Sequence, residues 1–258
     1  MLPAGVLVEG DEATIAGVFA SLSALQPVRL ERAGLVCSPR SAPELAGPAL
    51  ARCPLPVRPL AVVPGWPAPP AAHIAGWYRR GPEHAPAPRG VRELVQAPGE
   101  GFGPGDHVTT AMCLEVIDTL PAGAAIDAGC GSGLLAQAWV ALGRGEVIAC
   151  DLDPRAIDQA RRSRAAPRRE RAGDLRHGPL SALGPAALAG RTVLANIPLA
   201  AHRALLETVS APPRRVVLSG VRDRDVAGLT ESWAAHGLRT VKVVRRAGFA
   251  CLQMEGAQ

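Results

Sequence analysis

The feature that most constrains this chain is the run Ala125-Ile126-Asp127-Ala128-Gly129-Cys130-Gly131-Ser132-Gly133 and the segment Leu134 to Leu142 behind it. Apolar residues lead into an acid. Three glycines follow at every second position, and then comes a stretch free of Pro and Gly that can be helical. Strand, glycine turn and helix form the context in which a Gly-x-Gly pattern marks a nucleotide-type cofactor site. Glycine lets the backbone turn tightly and approach a ligand without a Cβ in the way. The first N–H groups of the helix lack partners within it and can face a ligand. The same string is also compatible with a glycine-rich turn in an unrelated α/β domain.

The rest of the chain extends this unit. Glu146 to Asp151 reads as the second strand, and its terminal acid stands where a βαβ unit places the group that reads a ribose. Asp153-Pro154 opens a helix running to about 165, with proline where its missing N–H costs nothing. A short strand is expected within 169–175, ending at Asp174. Strands at Arg191–Asn196 and Arg215–Gly220 alternate with helices at 200–209 and 226–236. Thr240–Val244 and Phe249–Met254 close the chain as a hairpin. Upstream, Val91–Val95 is a strand, 97–107 a glycine-proline loop, and Thr109–Leu120 a helix with a recurring apolar face. The pattern predicts an α/β fold: a mostly parallel, Rossmann-like doubly wound sheet ending in an antiparallel pair.

The amino-terminal part is weaker. Val6–Val8, Val28–Leu30 and Leu35–Cys37 are candidate strands, and Asp11 caps a candidate helix over 12–25. Residues 38–58 read as loop, and Leu60–Trp66 as a strand ending in a turn. Prolines break 67–90 apart, with a helical segment expected at Ala72–Tyr78. These readings give a small α+β region at 1–58, a proline-rich linker with a connecting strand at 59–95, and the main domain at 96–258, with the boundary near residue 90.

Composition removes several function classes. With 48% hydrophobic residues but only 3% aromatic in 258, the core must be built from Ala, Leu and Val. The formal charge of +5 permits a polyanionic partner. Its basic residues are almost all scattered arginines, with Lys242 the rare lysine, and no aromatic-interleaved patch argues for direct nucleic-acid binding. Six cysteines without a CxxC pair disfavour a zinc site, and no metal is expected. The start lacks a signal-peptide pattern and no run of eighteen apolar residues occurs, so a soluble cytoplasmic protein is expected, with reduced thiols and no membrane.

The order of elements resembles class I S-adenosylmethionine-dependent methyltransferases, whose seven-stranded sheet ends in the same antiparallel pair. Asp127 to Gly133 resembles their cofactor loop. The string Gly101-Phe102-Gly103-Pro104-Gly105-Asp106-His107-Val108-Thr109-Thr110 resembles the Phe-Gly-Thr-Gly-x-His-x-Thr-Thr signature of PrmA-type ribosomal protein methyltransferases, with Pro104 in place of threonine. Pro64-Gly65-Trp66, Asp151-Leu152-Asp153-Pro154, Asn196-Ile197 and Ser219-Gly220 match further family strings in register. The family's terminal Glu-Trp segment is missing.

The resemblance implies S-adenosyl-L-methionine as cofactor and methylation of lysine or N-terminal amines on a protein, a large-subunit ribosomal protein in that family. It implies cofactor contacts from Thr109, Thr110, Asp127, Gly129, Gly131, Gly133, Asp151, Asp174 and Asn196. Asp151 would read the ribose and Asp174 the adenine edge. Asp127 either orients the loop or reaches the methionine amino group. On the catalytic side stand Phe102, beside the methyl or in the core, and His107, as a base or as the residue that holds the loop closed. Asn196 completes this group. Its carbonyl can accept from an amine N–H, or its side chain can form the turn before Pro198. Ser219 would line the substrate side. Other readings left open are a small-molecule amine or amide as acceptor, a non-catalytic adaptor that kept the fold, and an NAD-dependent oxidoreductase, against which the terminal antiparallel pair counts.

Overall fold

The computed structural model describes residues 5–10, 28–30, 34–37, 51–60, 71–82, 84–99, 107–164, 173–184 and 186–256. The chain divides into two compact units, Met1–Trp66 and Pro67–Gln258. In the first, β1 (Gly5–Val8), β2 (Val28–Leu30), β3 (Gly34–Cys37) and β4 (Val57–Leu60) form an antiparallel sheet in the order β2-β3-β1-β4. β4 lies at the edge, where Pro59 can sit without an N–H to donate. The loop expected at 38–58 thus gives way to a strand at Val57, and Leu60 closes that strand instead of opening one. The expected helix at 12–25, residues 61–66 and the Pro64-Gly65-Trp66 string lie outside the described residues.

The second unit begins with a three-stranded sheet of β5 (Ala72–Ile74), β6 (Trp77–Arg80) and β7 (Glu93–Val95). The helix expected at Ala72–Tyr78 is a hairpin. Ile74 pairs with Trp77 across a two-residue turn, Ala75-Gly76, with φ of 48° and 80°. Positive φ at both central residues matches the twist of the flanking strands. The alanines suggested a helix, but burial of Ile74 and Trp77 fixes the extended form. Within 59–95, expected as a proline-rich linker with a connecting strand, the described residues 71–82 and 84–95 carry this three-stranded sheet.

The main sheet follows: α1 (Val108–Ile117), β8 (Ala125–Ala128), α2 (Leu134–Ala141), β9 (Val147–Asp151), α3 (Pro154–Arg164), β10 (Asp174–His177), β11 (Thr192–Asn196), α4 (Leu199–Leu206), β12 (Arg215–Arg222), α5 (Val226–Ala234), β13 (Leu238–Arg246) and β14 (Phe249–Gly256). The strand order is β10-β9-β8-β11-β12-β14-β13. All neighbours are parallel except β14, which runs against both β12 and β13. The chain leaves β8 in one direction through β9 and β10, then returns to its other side through β11 and β12. Beyond the carboxyl end of β8 is therefore the crevice where doubly wound sheets bind ligands.

Side chains of α1, α2 and α3 cover one face of this sheet, among them Met112, Ile117, Leu135, Trp139 and Ile157. Leu205, Val226, Leu229 and Trp233 of α4 and α5 cover the other. β7 is fastened to the first layer by Gln137 of α2, whose amide accepts from Val95 N–H at 3.1 Å and donates to its carbonyl at 2.9 Å. Among the described residues no helix is long and apolar enough to cross a membrane, and no group of three or more His, Cys, Asp or Glu side chains could hold a metal ion.

His202 of α4 is fully buried, and its Nε2 donates to the Ser219 carbonyl at 2.8 Å. Burial holds its pKa below the ordinary 6.5. The unfolded chain therefore takes up this proton first. The stability the neutral ring contributes is complete above about pH 6.5 and lost as pH falls through the folded value. His202→Gln keeps a donor but removes the titration, so its stability in denaturant melts should fall less than the parent's between about pH 7.5 and about pH 5.5. Trp233, wholly buried with an unpartnered Nε1, is a packing anchor. Its replacement by alanine should cost about 3–5 kcal/mol in the same melts.

Candidate functional site

The glycine turn is built as the sequence suggests, but its three glycines do different things. Gly129, Gly131 and Gly133 have φ of 69°, 52° and 81°, a region open chiefly to glycine. A Cβ on Gly129 would lie 2.4 Å from Ile197 Cγ2, and one on Gly133 would press on Ala160 of α3 at 3.2 Å. These two glycines therefore admit protein neighbours. Gly131 donates its N–H to Asp151 Oδ2 at 2.8 Å, tying the turn to the end of β9.

Ile197, noted in the sequence only as part of the Asn196-Ile197 string, has a packing role that the string does not reveal. Besides meeting Gly129, its carbonyl oxygen lies 2.4 Å from where a Cβ on Gly220 would stand, and Gly220 has φ of 83°. Ile197 N–H donates to the Ser219 carbonyl at 3.1 Å, the same carbonyl that His202 bonds. The segment after β11 is thus wedged between the ends of β8 and β12. Gly129 after β8 and Gly220 within β12, with the Asn196-Ile197 and Ser219-Gly220 strings, are the sequence signals, and they do not name this contact. Ser219, expected to line the substrate side, is buried and donates its hydroxyl to the Ala250 carbonyl at 2.7 Å.

Asp127 is 1% exposed and sits in the crevice. Its Oδ2 accepts from Ala136 N–H at 3.0 Å, capping α2, whose N-cap Gly133 has no side chain to do so. Its Oδ1 is buried without a partner. Burial, with the Asp151 charge adding to it, pushes its pKa up to about 7. Burial, reinforced by these same carboxylates, also pushes up the thiols of Cys130 and Cys150, the latter to about 12. The crevice thus holds negative potential and one orphaned acceptor, a good match for a cationic ligand group.

Asp151, half-buried, uses Oδ2 for Gly131 and Oδ1 for Asp153 N–H at 2.9 Å. A carboxylate has about four lone-pair positions, so capacity remains for hydroxyls. Asp153 accepts from Arg155 N–H at 2.9 Å and caps α3. Asp174 is misplaced by the sequence reading. It opens β10 instead of ending it: Asp174 pairs with Ile148, and His177 pairs with Asp151. It therefore lies away from the carboxyl edge, exposed and bridged to Arg176 at 2.6 Å. What stands beside Asp151 is Leu152, 71% exposed, and His177, whose Nε2 lies 3.2 Å from the Leu152 carbonyl. An exposed leucine there offers an apolar face to a flat ring.

The other wall is the start of α1. His107 is its N-cap, and its Nδ1 accepts from Thr109 N–H at 3.3 Å and lies 2.7 Å from Thr109 Oγ1. A backbone N–H can only donate, so Nδ1 is the acceptor and the ring proton sits on Nε2. The ring stands edge-on to Phe249, with centroids 5.0 Å apart. Thr110 Oγ1 accepts from Asn196 Nδ2 at 3.3 Å, which brings Asn196 and the Thr109–Thr110 pair together. Asn196 is 8% exposed, and its Oδ1 is buried with no partner. Phe102 lies outside the described residues.

The chain matches the ribosomal protein L11 methyltransferase (PrmA) family over residues 84–256. It is 36% identical over 192 residues to the ribosomal protein L11 methyltransferase of Bordetella parapertussis, covering 69% of this chain and 59% of that protein. It is 37% identical over 153 residues to that of Yersinia pestis, covering 57% and 51%. The chain therefore spans between a half and three fifths of the length of these curated relatives. Among solved structures, the ribosomal protein L11 methylase of Lactobacillus delbrueckii subsp. bulgaricus superposes with a TM-score of 0.61 at 20% identity, covering 71% of this chain and 96% of that one, which identifies the fold as shared. With two thirds of its length matched to the family, the chain belongs to the ribosomal protein L11 methyltransferase family.

Proposed function

We propose that this protein is an S-adenosylmethionine-dependent N-methyltransferase that acts in the cytoplasm on an amine of a protein, a ribosomal protein being the first candidate. The observation that carries the reading is Asn196 Oδ1. It is a buried carbonyl with nothing to accept, at the carboxyl end of β11, held from behind by Thr110. A buried acceptor without a partner is costly, and a donor supplied by a ligand removes that cost.

The residues present fit the cofactor. Asp127 Oδ1 would accept from the methionine ammonium, Asp151 from the ribose hydroxyls, and Leu152 would lie against the adenine. When bound, S-adenosylmethionine would supply a methyl carbon on a sulfonium, so that an amine lone pair could form the N–C bond as the C–S bond breaks, with S-adenosylhomocysteine leaving and the amine's proton passing to solvent. The protein's part is then to position and to exclude water. Asn196 Oδ1 accepts one amine N–H and so turns the lone pair toward the methyl. An ammonium must lose its proton before it can react, and the carbonyl of Asn196 is a neutral acceptor that does not hold the charged form as a carboxylate would. His107 holds the start of α1 through Nδ1 and leaves that nitrogen no role as a base.

The decisive experiment is methyl transfer from labelled S-adenosylmethionine to ribosomal proteins from cells lacking this gene, read by mass spectrometry. Labelled amines support the reading; S-adenosylhomocysteine binding without transfer to any protein would favour an adaptor, and binding of NAD instead would sink it. Asn196→Ala should lower kcat by about 100-fold. Cofactor binding should also release protons. The carboxyl of Asp127, half-protonated near pH 7, ionises when an ammonium arrives. Calorimetry of S-adenosylhomocysteine in two buffers of different ionisation enthalpy measures this release, which Asp127→Asn should abolish.

A further inference from the structure

At the carboxyl end of β12, Arg222 stacks on the ring of Phe249, and Arg246 stands opposite Phe249 on the neighbouring strand. Phe249 opens β14 and pairs directly with Arg222 on β12 and with Arg246 on β13. Residues directly opposite on paired strands present side chains to the same face, so Arg222, Phe249 and Arg246 form one row. The carboxylate of Glu115 takes Arg246 in two hydrogen bonds, at 2.9 and 3.2 Å. Asp223 takes the neighbouring Arg245 at 3.6 Å. Among the described residues no carboxylate takes Arg222. Its guanidinium lies over the Phe249 ring, 3.9 Å from the centroid.

That row belongs to the same edge as Asn196. Asn196 pairs with Ser219, and β12 runs on from there through Gly220 to Arg222. The ring of Phe249 meets His107, which caps the helix whose Thr110 holds Asn196. Stacking on an aromatic face orients a guanidinium and leaves its N–H edge available. The edge of a guanidinium fits a carboxylate, with two parallel hydrogen bonds.

We propose that Arg222 is the receptor for a carboxylate on the methyl acceptor, so that the amine this enzyme prefers is carried by an acidic peptide segment. The proposal rests on the amine-transfer reading above and deepens it by naming the acceptor's charge. Asn196 receives the amine, Arg222 receives an acidic side chain next to it, and Phe249 sets the distance between them.

The test uses two capped hexapeptides with a single lysine, flanked in one by glutamates and in the other by glutamines. Their binding to the full-length protein loaded with S-adenosylhomocysteine is measured by calorimetry, and their methylation by mass spectrometry. The glutamate peptide should bind about fivefold more tightly at low salt, and added salt should erode the preference. Arg222→Gln should bring the ratio close to one, while Arg222→Lys, which keeps the charge but not the planar fork, should retain only part of it. The unfolding midpoint of each variant checks that the fold is intact. Equal binding of both peptides by the parent, failure to bind either, or a preference that survives in Arg222→Gln overturns the proposal. Preferential binding without any methylation would leave the charge assignment standing and sink amine transfer instead.

Discussion

The site depends on the way Ile197 fills the space between two glycines. Its side chain abuts Gly129 at the end of β8, and its carbonyl abuts Gly220 on β12. Both glycines have positive φ, so an alanine at either would bring backbone strain as well as collision. This wedge sets how far Asn196 stands from the glycine turn. In a methyl transfer that spacing is the chemistry, because the protein contributes chiefly by holding the nucleophile and the methyl at reacting distance. His202 adds a second bond to the carbonyl that already receives Ile197 N–H, so α4 holds the wedge in place.

The electrostatics of the crevice follow from a shortage of donors. Asp127 satisfies one N–H of α2 and leaves its other oxygen dry, and Asn196 does the same on the opposite wall with a neutral carbonyl. Unpaired buried acceptors are unfavourable in the empty protein, and low polarity around them makes a correct donor worth more when it comes. The two acceptors differ in charge: Asp127 carries a carboxyl that can ionise, whereas the carbonyl of Asn196 is neutral.

Much of this architecture was legible in the sequence, because the strands around β8 are apolar runs and the acids and Asn196 mark their ends. The reading failed where the pattern carries no hydrophobic signal. β10 is Asp-Leu-Arg-His at the edge of the sheet and mostly exposed, so nothing in its composition says where it starts, and Asp174 was set at the wrong end. The Ala72–Tyr78 hairpin turns on Ala75 at φ 48°, a residue that advertises helix. Ile197 stands in the Asn196-Ile197 string, but its role as a wedge was not legible, since it lies in contacts with residues distant in sequence. His107 was identified, but its part as a helix cap needed the position of Thr109.

The helix α3 ties two parts of the site that look separate along the chain. Ala160 on it lies against Gly133. Around it on the same helix, Ser163 accepts from Ala97 N–H at 2.9 Å, Gln159 donates to the Ala97 carbonyl at 2.8 Å, and Arg162 donates to the Pro98 carbonyl at 2.7 Å. One rigid rod thus bears on the glycine turn and on the stretch of chain that leads toward His107. A substitution that displaces this rod would therefore be felt at the glycine turn and at Ala97 and Pro98 together.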